Sequence, residues 1–481
     1  MAETDIDKRF DIHEIAKNKQ AELDRFQCSI YCCHSTGCKS SGSDDLIDLI
    51  KQAIVDHGIE DKVRIVATGC MGLCAQGPLI RVEIKGQKDV LYKRLEPLVA
   101  RLIITEHVVP ALKLAEGEVF ELPEFLAQHV LSLDLPFFTK QEKVVLKDAG
   151  RLDPEDIHEY IAHGGYLALE KVLKTMTPQE VVEVIKKSGL RGRGGGGFST
   201  GMKWELASKV PTVDEKFIIC NGDEGDPGAY MDRSILEGDP HAVIEGMMIA
   251  AYAIGATDGW FYVRAEYPLA VERLEKAIKA CKKNRLLGNN IMGTDFCFNI
   301  DVRLGAGAFV CGEETALIHS IEGKRGTPRP RPPYPTNKGL WDKPSCVNNV
   351  ETLGNIAKII LKGPEWFASF GTETSKGTKV FALTGQVEHS GLIEVPMGTT
   401  INEIVNEIGG GVPNGKKLKA VQTGGPSGGV IPAEHMDLPV CYEELKKVGS
   451  IMGSGGMIVM DDSSNTVSYT HLRAHETCAD L

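Results

Sequence analysis

The stretch GLRGRGGGGFSTGMKW, residues 189–204, combines seven glycines with three basic and two aromatic side chains. Glycine has no Cβ atom, so its backbone can approach a ligand closely. Successive N–H groups in such a loop form a concave surface that binds anions, and Arg and Lys side chains add positive charge. A flexible linker is typically rich in Gly and Ser and has few interleaved aromatic residues. The stretch therefore predicts a loop that binds the phosphate of a nucleotide.

The size and charge of the chain narrow the functional classes. Its 481 residues are enough for two to four domains, and the net charge of −12 argues against a nucleic-acid partner. The sequence has no apolar run of about 18 residues, so we expect no membrane span. The charged N-terminus lacks the apolar core of a signal peptide. We therefore expect a cytoplasmic protein, free or at the periphery of a membrane complex.

Thirteen cysteines are present, and four of them form two short pairs, Cys33-x4-Cys38 and Cys70-x3-Cys74. In a reducing compartment such pairs favour metal or redox chemistry over a disulfide framework. Each pair is close to the end of a predicted strand, so four thiolates can converge from two loops. This suits an iron–sulfur cluster, with zinc and buried thiols as alternatives. Cys32 could replace Cys33 as the first ligand.

Predicted strands and helices alternate after the glycine-rich stretch, which implies an α/β layer with a largely parallel sheet. Ligands bind such sheets at the carboxyl ends of the strands. The stretch itself follows a predicted helix at 178–188 and so lacks the strand–loop–helix context of a dinucleotide fingerprint. The predicted strands cover residues 216–221, 259–265 and 296–304, and the predicted helices cover residues 241–254 and 270–283.

Four further stretches near predicted strand ends carry polar or charged groups. NGDEGDPG at 221–228 offers side chains that can bond to a ring system or a ribose, and GAGAFVCGEET at 305–315 ends in paired carboxylates. Proline fixes φ, so the basic segment at 323–341 is stiff and can lie across a phosphate-bearing ligand. VNNVET at 347–352 includes an asparagine that can cap the next helix.

In this order the motifs resemble the NADH-oxidising flavoprotein subunit of respiratory complex I and its relatives. The resemblance covers nearly all of residues 1–465. Gly196, Ser199 and Phe309 stand where this family usually has Ala, Pro and Tyr. The fused N-terminal domain is most similar to that of the diaphorase subunit of NAD-reducing bidirectional nickel–iron hydrogenase. The beta subunits of NAD-dependent formate dehydrogenase and of bifurcating iron-only hydrogenase are similar alternatives, as is the complex I subunit itself.

The resemblance implies FMN and NAD(H) in one pocket, with hydride transfer between them and single electrons passing to iron–sulfur clusters. The flavin does this chemistry, so no catalytic acid or base is expected, and Glu224, Asp226 and Glu314 would position the reactants. Asp226 near the ribose would favour NAD over NADP. The implied cofactor residues are Gly192, Arg193, Gly194, Gly195, Gly197, Phe198, Lys203, Asn221, Asp223, Glu224, Asp226, Gly312, Glu313, Glu314, Arg331, Tyr334, Asn348, Asn349 and Thr352. The implied [2Fe-2S] ligands are Cys33, Cys38, Cys70 and Cys74. The implied partners are other iron–sulfur and hydrogenase, or formate dehydrogenase, subunits.

The expected fold class is α/β, built from a thioredoxin-like ferredoxin domain, a Rossmann-like FMN/NAD domain and a small β-grasp domain. The expected ranges are 1–104 for the thioredoxin-like [2Fe-2S] domain, 105–137 for a connector, 138–365 for the FMN/NAD(H) domain, 366–440 for the β-grasp domain and 441–465 for the start of a helical domain.

The family continues after this point into a helical domain that binds a [4Fe-4S] cluster through a C-x2-C-x2-C motif. We expect that domain, and that cluster, only in an untruncated protein. Here VSYTHLRAHET at 467–477 looks like a translated sequencing adapter, so we expect residues 466–481 to be an artefact and Cys478 not to be a ligand. Two other functions stay open: a docking or electron-transfer module without flavin, and a thiol–disulfide regulator.

Overall fold

The computed structural model describes residues 11–211, 215–305 and 307–465, so the expected artefact at 466–481 lies outside the described residues. These ranges contain three β-sheets, of five, four and five strands. None of the helices in the described ranges has both the length and the apolar character needed to cross a membrane.

The first sheet has the order β2-β1-β3-β4-β5, in which β1 is parallel to β2 and antiparallel to β3. Its strands are β1 (Cys28–Cys33), β2 (Val63–Thr68), β3 (Ile80–Ile84), β4 (Val90–Tyr92) and β5 (Val130–Leu131). The helices of this part are α1 (Ile12–Leu23), α2 (Thr36–Ser40), α3 (Ser43–Asp56), α4 (Pro97–Ile103), α5 (Val109–Ala111) and α6 (Glu124–Ala127), and α7 (Pro136–Thr139) follows them.

The expected limits of the first domain are corrected at both ends. β5 pairs with β4, and Leu126 packs in the same core as Ile30, so this domain extends to about residue 131 rather than 104. α1 packs on α8 and buries Ile12 in the core of the α/β domain. A short apolar segment packs in a core that is formed by residues distant in sequence, so its own sequence does not indicate to which domain it belongs.

The second sheet is fully parallel, in the order β8-β7-β6-β9, as the alternating pattern predicts. Its strands are β6 (Phe217–Gly222), β7 (Asp258–Arg264), β8 (Asn299–Gly305) and β9 (Ser345–Asn349). The helices are α8 (Ile157–Ala162), α9 (Leu167–Thr175), α10 (Pro178–Ser188), α11 (Thr200–Lys209), α12 (Met231–Gly238), α13 (Pro240–Ile254), α14 (Pro268–Lys283), α15 (Glu314–Ile321), α16 (Val350–Gly354), α17 (Ile356–Lys362) and α18 (Pro364–Ala368).

The third sheet has the order β11-β10-β14-β12-β13, with β10 and β14 parallel in the centre. Its strands are β10 (Thr378–Gly385), β11 (Gly391–Pro396), β12 (Leu418–Thr423), β13 (Gly429–Pro432) and β14 (Gly456–Asp461), and α19 (Tyr442–Lys447) precedes the last of them. The expectation that 441–465 begins a helical domain is therefore wrong. β14 lies between β10 and β12, so these residues complete the β domain.

Candidate functional site

The glycine-rich loop joins α10 to α11 and is closed at its base like a hairpin. The Gly192 N–H donates to the Phe198 carbonyl over 2.8 Å, and the Thr200 N–H donates to the Leu190 carbonyl over 3.0 Å. Residues 193–197 therefore project as a loop that consists mostly of backbone. A loop of this kind can bring peptide N–H groups close to a bound anion.

A cavity of about 730 Å³ lies beside this loop, at the carboxyl ends of β6 and β9. The chain continues from β6 to β7 and β8 on one side and returns to β9 on the other, so the cavity is at the point where the strand order reverses. Its volume is in the range of small-molecule sites, ~300–1,000 Å³. The lining residues are Gly192, Gly194, Gly196, Gly197, Phe198, Thr200, Lys203, Leu206, Asn221, Gly312, Glu313, Glu314, Arg331, Tyr334, Pro335, Thr336, Asn337, Val347, Asn348, Asn349 and Thr352.

Most of the predicted cofactor residues line this cavity, although they come from five separate stretches of sequence. The exceptions are Arg193, Gly195, Asp223, Glu224 and Asp226. The fold thus brings the five predicted motifs to one place, while a few side chains within them point elsewhere.

In two of these exceptions, Arg193 and Glu224, the side chain bonds to other parts of the protein, so their expected role in binding FMN stays a prediction. The buried guanidinium of Arg193 donates to the carbonyls of Thr378, over 3.0 Å, and Lys376, over 2.7 Å. It therefore ties the glycine-rich loop to the third domain. The carboxylate of Glu224 is buried and accepts hydrogen bonds from two N–H groups in the first turn of α12. It acts as a cap for that helix.

Asp226 does not line the first cavity. It lines a second cavity of about 360 Å³, which shares Gly194 and Gly196 with the first and includes Gly195. Its carboxylate accepts a hydrogen bond from the Ser454 hydroxyl over 2.7 Å. The preference for NAD over NADP that was argued from Asp226 stays a prediction.

Asp223 lies behind the cavity wall with a carboxylate oxygen that no hydrogen bond from the described residues satisfies. A Cβ atom on Gly312 would be 3.8 Å from that oxygen. Burial raises the pKa of Asp223 to about 6, because the charged form loses its hydration.

Four charged side chains form a connected group at the cavity. Lys203 Nζ lies 2.8 Å from a carboxylate oxygen of Glu314, and Arg331 lies 3.0 Å from the other. Arg331 also approaches Glu313 at 3.4 Å. The two carboxylates hold both cations beside the cavity. An anionic ligand that enters the cavity can replace one of the carboxylates as a partner of these cations. The basic segment at 323–341 therefore reaches the cavity, as the sequence predicts for a segment that lies across a phosphate-bearing ligand.

The end of β9 supplies amide side chains that are fixed by neighbours. Asn349 caps α16 with its carbonyl oxygen, which accepts from the N–H of Glu351, and it donates its amide to Asp232 over 2.5 Å. The carbonyl oxygen of Asn348 accepts a hydrogen bond from the Trp204 indole over 3.3 Å. These bonds hold both amides in defined orientations beside the cavity.

The four predicted cluster cysteines lie in two short segments of the first domain: Cys33 ends β1 and Cys38 lies in α2, while Cys70 and Cys74 follow β2. We name residues 33–38 the first cysteine loop and residues 70–74 the second cysteine loop. The Cys70 and Cys74 sulfurs are 3.5 Å apart. Hydrogen bonds from the thiols of Cys38 and Cys70 hold the pKa of Cys33 well below its usual range. The sulfurs thus form a contiguous group of soft ligands, which is the donor set of an iron–sulfur cluster.

The described residues contain no group of three or more His, Cys, Asp or Glu side chains arranged around a single metal ion. Two contacting thiol pairs suit a cluster of two irons, in which each iron takes two cysteines, better than one zinc ion.

The structure favours Cys33 over Cys32 as the first ligand. Successive residues of a strand face opposite sides of the sheet. Cys28, Ile30 and Cys32 therefore pack together in the apolar core of the first domain, while Cys33 packs with Cys38 on the other side. Burial raises the pKa of Cys32 to about 12, which disfavours its thiolate.

Comparison with known proteins identifies an FMN-binding domain in the part of the chain that contains the cavity. Residues 185–358 match the Nuo51 FMN-binding domain. The chain is 56% identical over 343 residues to the NADP-reducing hydrogenase subunit HndC of Solidesulfovibrio fructosivorans, which is 70% of this chain and 69% of that protein. The chain belongs to the family of complex I flavoprotein subunits.

Other members support the same family. An NADH-quinone oxidoreductase subunit of Escherichia coli (strain K12) is 44% identical over 329 residues, which is 68% of this chain and 74% of that protein. The crystal structure of an NAD+-reducing [NiFe]-hydrogenase in the air-oxidized state matches 96% of this chain and 77% of its own, with a TM-score of 0.59 and 28% identity. The predicted family, the α/β fold class and the enzyme class, an NAD(H)-dependent flavin oxidoreductase, are confirmed. FMN and NAD(H) are confirmed as the cofactors of the family. The [2Fe-2S] cluster stays a prediction.

Sequence reasoning missed several residues that line this cavity. Thr200 is within the glycine-rich stretch, and Leu206 lies one helical turn after Lys203 on α11, so helical spacing could have found it. Thr336 and Asn337 also line the cavity, and only their closeness to Tyr334 in the sequence could have indicated this.

Proposed function

We propose that this chain is the NAD(H)-oxidising flavoprotein subunit, or diaphorase, of a hydrogenase complex. The observation that carries the proposal is the cavity at the strand-order reversal, to which all of the nucleotide motifs contribute. The names of the relatives, an NADP-reducing and an NAD+-reducing hydrogenase, support the hydrogenase assignment. Formate dehydrogenase and complex I assemblies remain alternatives for the same module.

The residues present fit FMN in several respects. The cavity is large enough for a substantial ligand, and the loop of residues 193–197 offers backbone N–H groups for a phosphate. Lys203 and Arg331 supply positive charge, and the side chains of Asn221 and Asn349 supply polar edges for a ring or a ribityl chain. Bound FMN supplies a redox centre that takes a hydride from a nicotinamide and releases electrons singly.

The protein contributes orientation and charge to this reaction. Glu314 holds Lys203 and Arg331 in place, so both cations are already positioned when a nucleotide enters. Phe198 is 54% exposed beside the glycine-rich loop and offers an aromatic face to an adenine. The apolar side chains of Leu206 and Val347 form part of the cavity wall.

We propose that Cys33, Cys38, Cys70 and Cys74 bind a [2Fe-2S] cluster that accepts these electrons. The thiol contacts described above and the soft character of the ligands support this assignment. The partners would be the iron–sulfur and hydrogenase subunits that take the electrons further, and the location would be cytoplasmic.

The test is spectroscopic. Anaerobically reconstituted protein should bind FMN, and NADH should bleach the visible absorbance of that FMN. The same assay with NADPH decides the nucleotide, because one relative reduces NADP by name. Bound FMN whose absorbance neither nucleotide changes would contradict the proposed activity, and failure to bind FMN would favour a docking module.

A further inference from the structure

Arg273 is a buried cation that the nucleotide cavity does not use. It lies on α14 in the α/β domain, and only 1% of its surface is exposed. Its guanidinium faces the first domain. Nη2 lies 3.1 Å from Nδ1 of His34, 3.4 Å from the His34 carbonyl and 3.5 Å from the Ala67 carbonyl. Burying a guanidinium is costly unless acceptors surround it, so these contacts restrict how the two domains fit together.

The contacts of Arg273 bear on both cysteine loops. His34 directly follows Cys33 in the first cysteine loop, and Ala67 precedes Cys70 by three residues. One planar side chain therefore fixes the backbone beside the two loops at the same time, which its fork of donors allows.

Glu237 adds an anion from the same domain. It is fully buried at the end of α12, and its carboxylate accepts hydrogen bonds from the Ser35 hydroxyl, over 2.6 Å, and the Thr36 N–H, over 3.0 Å. Arg273 donates to the backbone carbonyl of Glu237 over 2.5 Å. A cation and an anion of the α/β domain thus lie against the first cysteine loop.

The backbones of the two domains also touch near the second cysteine loop. A Cβ atom on Gly69 would lie 2.3 Å from the Cα atom of Gly238, so only glycine at position 69 permits this approach. The backbone just before the second cysteine loop therefore packs directly on the end of α12.

We propose that Arg273 and Glu237 are positioning residues for the [2Fe-2S] centre, which hold the first cysteine loop and adjust the reduction potential in opposite directions. The proposal rests on the proposed function, because it requires a cluster at the four cysteines. Reduction by one electron adds a negative charge to a cluster. A nearby guanidinium stabilises that charge and raises the potential, while a nearby carboxylate lowers it.

The test uses the full chain, reconstituted anaerobically, with the substitutions Arg273→Gln and Glu237→Gln. The matched control is Lys279→Gln, which removes a positive charge from an exposed position on the same helix. Iron, sulfide and FMN contents are measured first, and the midpoint potential is then obtained from a redox titration followed by EPR. We expect a lower potential for Arg273→Gln, a higher one for Glu237→Gln and no shift for the control.

The proposal is overturned if the midpoint potentials of both variants shift in the same direction, or if neither potential shifts. A loosened loop alone would not make the direction of the shift depend on the sign of the removed charge. If Arg273→Gln loses its cluster, Glu237→Gln decides alone: an upward shift supports the proposal and any other result refutes it. Wild-type protein that binds FMN without any cluster contradicts the cluster assignment itself.

Discussion

Gly197 provides a direct test of the glycine-rich loop, because its neighbour Gly196 is a matched control. Gly197 has φ +61°, and a Cβ atom there would lie 2.7 Å from two ring carbons of Tyr442. The hydroxyl of that tyrosine donates to the Gly192 carbonyl over 2.8 Å, so the ring cannot move without disturbing the loop. At Gly196 a Cβ atom would meet nothing within 4 Å.

The cost of Gly197→Ala can be worked from these contacts. A left-handed conformation costs a non-glycine residue about 1–2 kcal/mol, and an added carbon in a packed region costs about 1–3 kcal/mol. The loop can relieve the sum only by leaving the shape that lines the cavity. Since about 1.4 kcal/mol corresponds to a tenfold change in affinity, the lower limit of about 2 kcal/mol predicts FMN binding weaker by about 30-fold.

The assay is titration of deflavinated protein with FMN, followed by quenching of flavin fluorescence. Gly196→Ala should bind FMN within about threefold of wild type, because its Cβ atom enters open space. Circular dichroism establishes that both variants are folded. The reasoning is refuted if folded Gly197→Ala binds FMN as tightly as Gly196→Ala.

Three further predictions follow from other parts of the molecule. Cys70→Ser should abolish the EPR signal of a reduced [2Fe-2S] cluster whereas Cys32→Ser should retain it, and equal signals from both would contradict the ligand assignment. Lys379→Met should destabilise the protein by about 3–5 kcal/mol in denaturant unfolding, because it leaves Glu351 buried without its cation. Lys417→Met, at an exposed position, should change the free energy of unfolding little. Similar losses of stability in the two variants would argue against a contribution from the buried pair. Burial raises the pKa of Asp223 to about 6, so its protonated form favours folding at low pH and this stability is lost as the pH rises from about 4 to about 6. The flavin-free Asp223→Asn variant should therefore exceed wild type in free energy of unfolding by up to about 3 kcal/mol at pH 7 and by little at pH 4, whereas a constant difference would contradict the shift.

The sequence was sufficient to predict the features that depend on local pattern. The parallel sheet follows from the alternation of strands and helices. The helix predicted at 178–188 and the predicted asparagine cap, at Asn349, both form. The cavity was predictable because strand-end loops of a parallel sheet meet at one edge.

The errors concern segments whose partners are distant in sequence. β5 has only two residues, and both β5 and β14 are assigned by the strands that pair with them. Arg193 is next to glycines that line the cavity, yet its guanidinium finds carbonyls about 185 residues away. A motif indicates which residues are near a ligand, but long-range packing decides which of their side chains face it.

The position of β14 has a consequence for the order in which the third domain assembles on the ribosome. Its register pairs Ala382 with Gly456, so the strand at the centre of the sheet is synthesised after the four strands around it. Pairing β14 with β10 closes a long loop of chain, and this slows folding because the chain loses conformational entropy before the stabilising contacts form. Until residue 461 has left the ribosome, β10 and β12 have exposed edges where β14 will lie, and a nascent chain paused there would be a natural client for a chaperone.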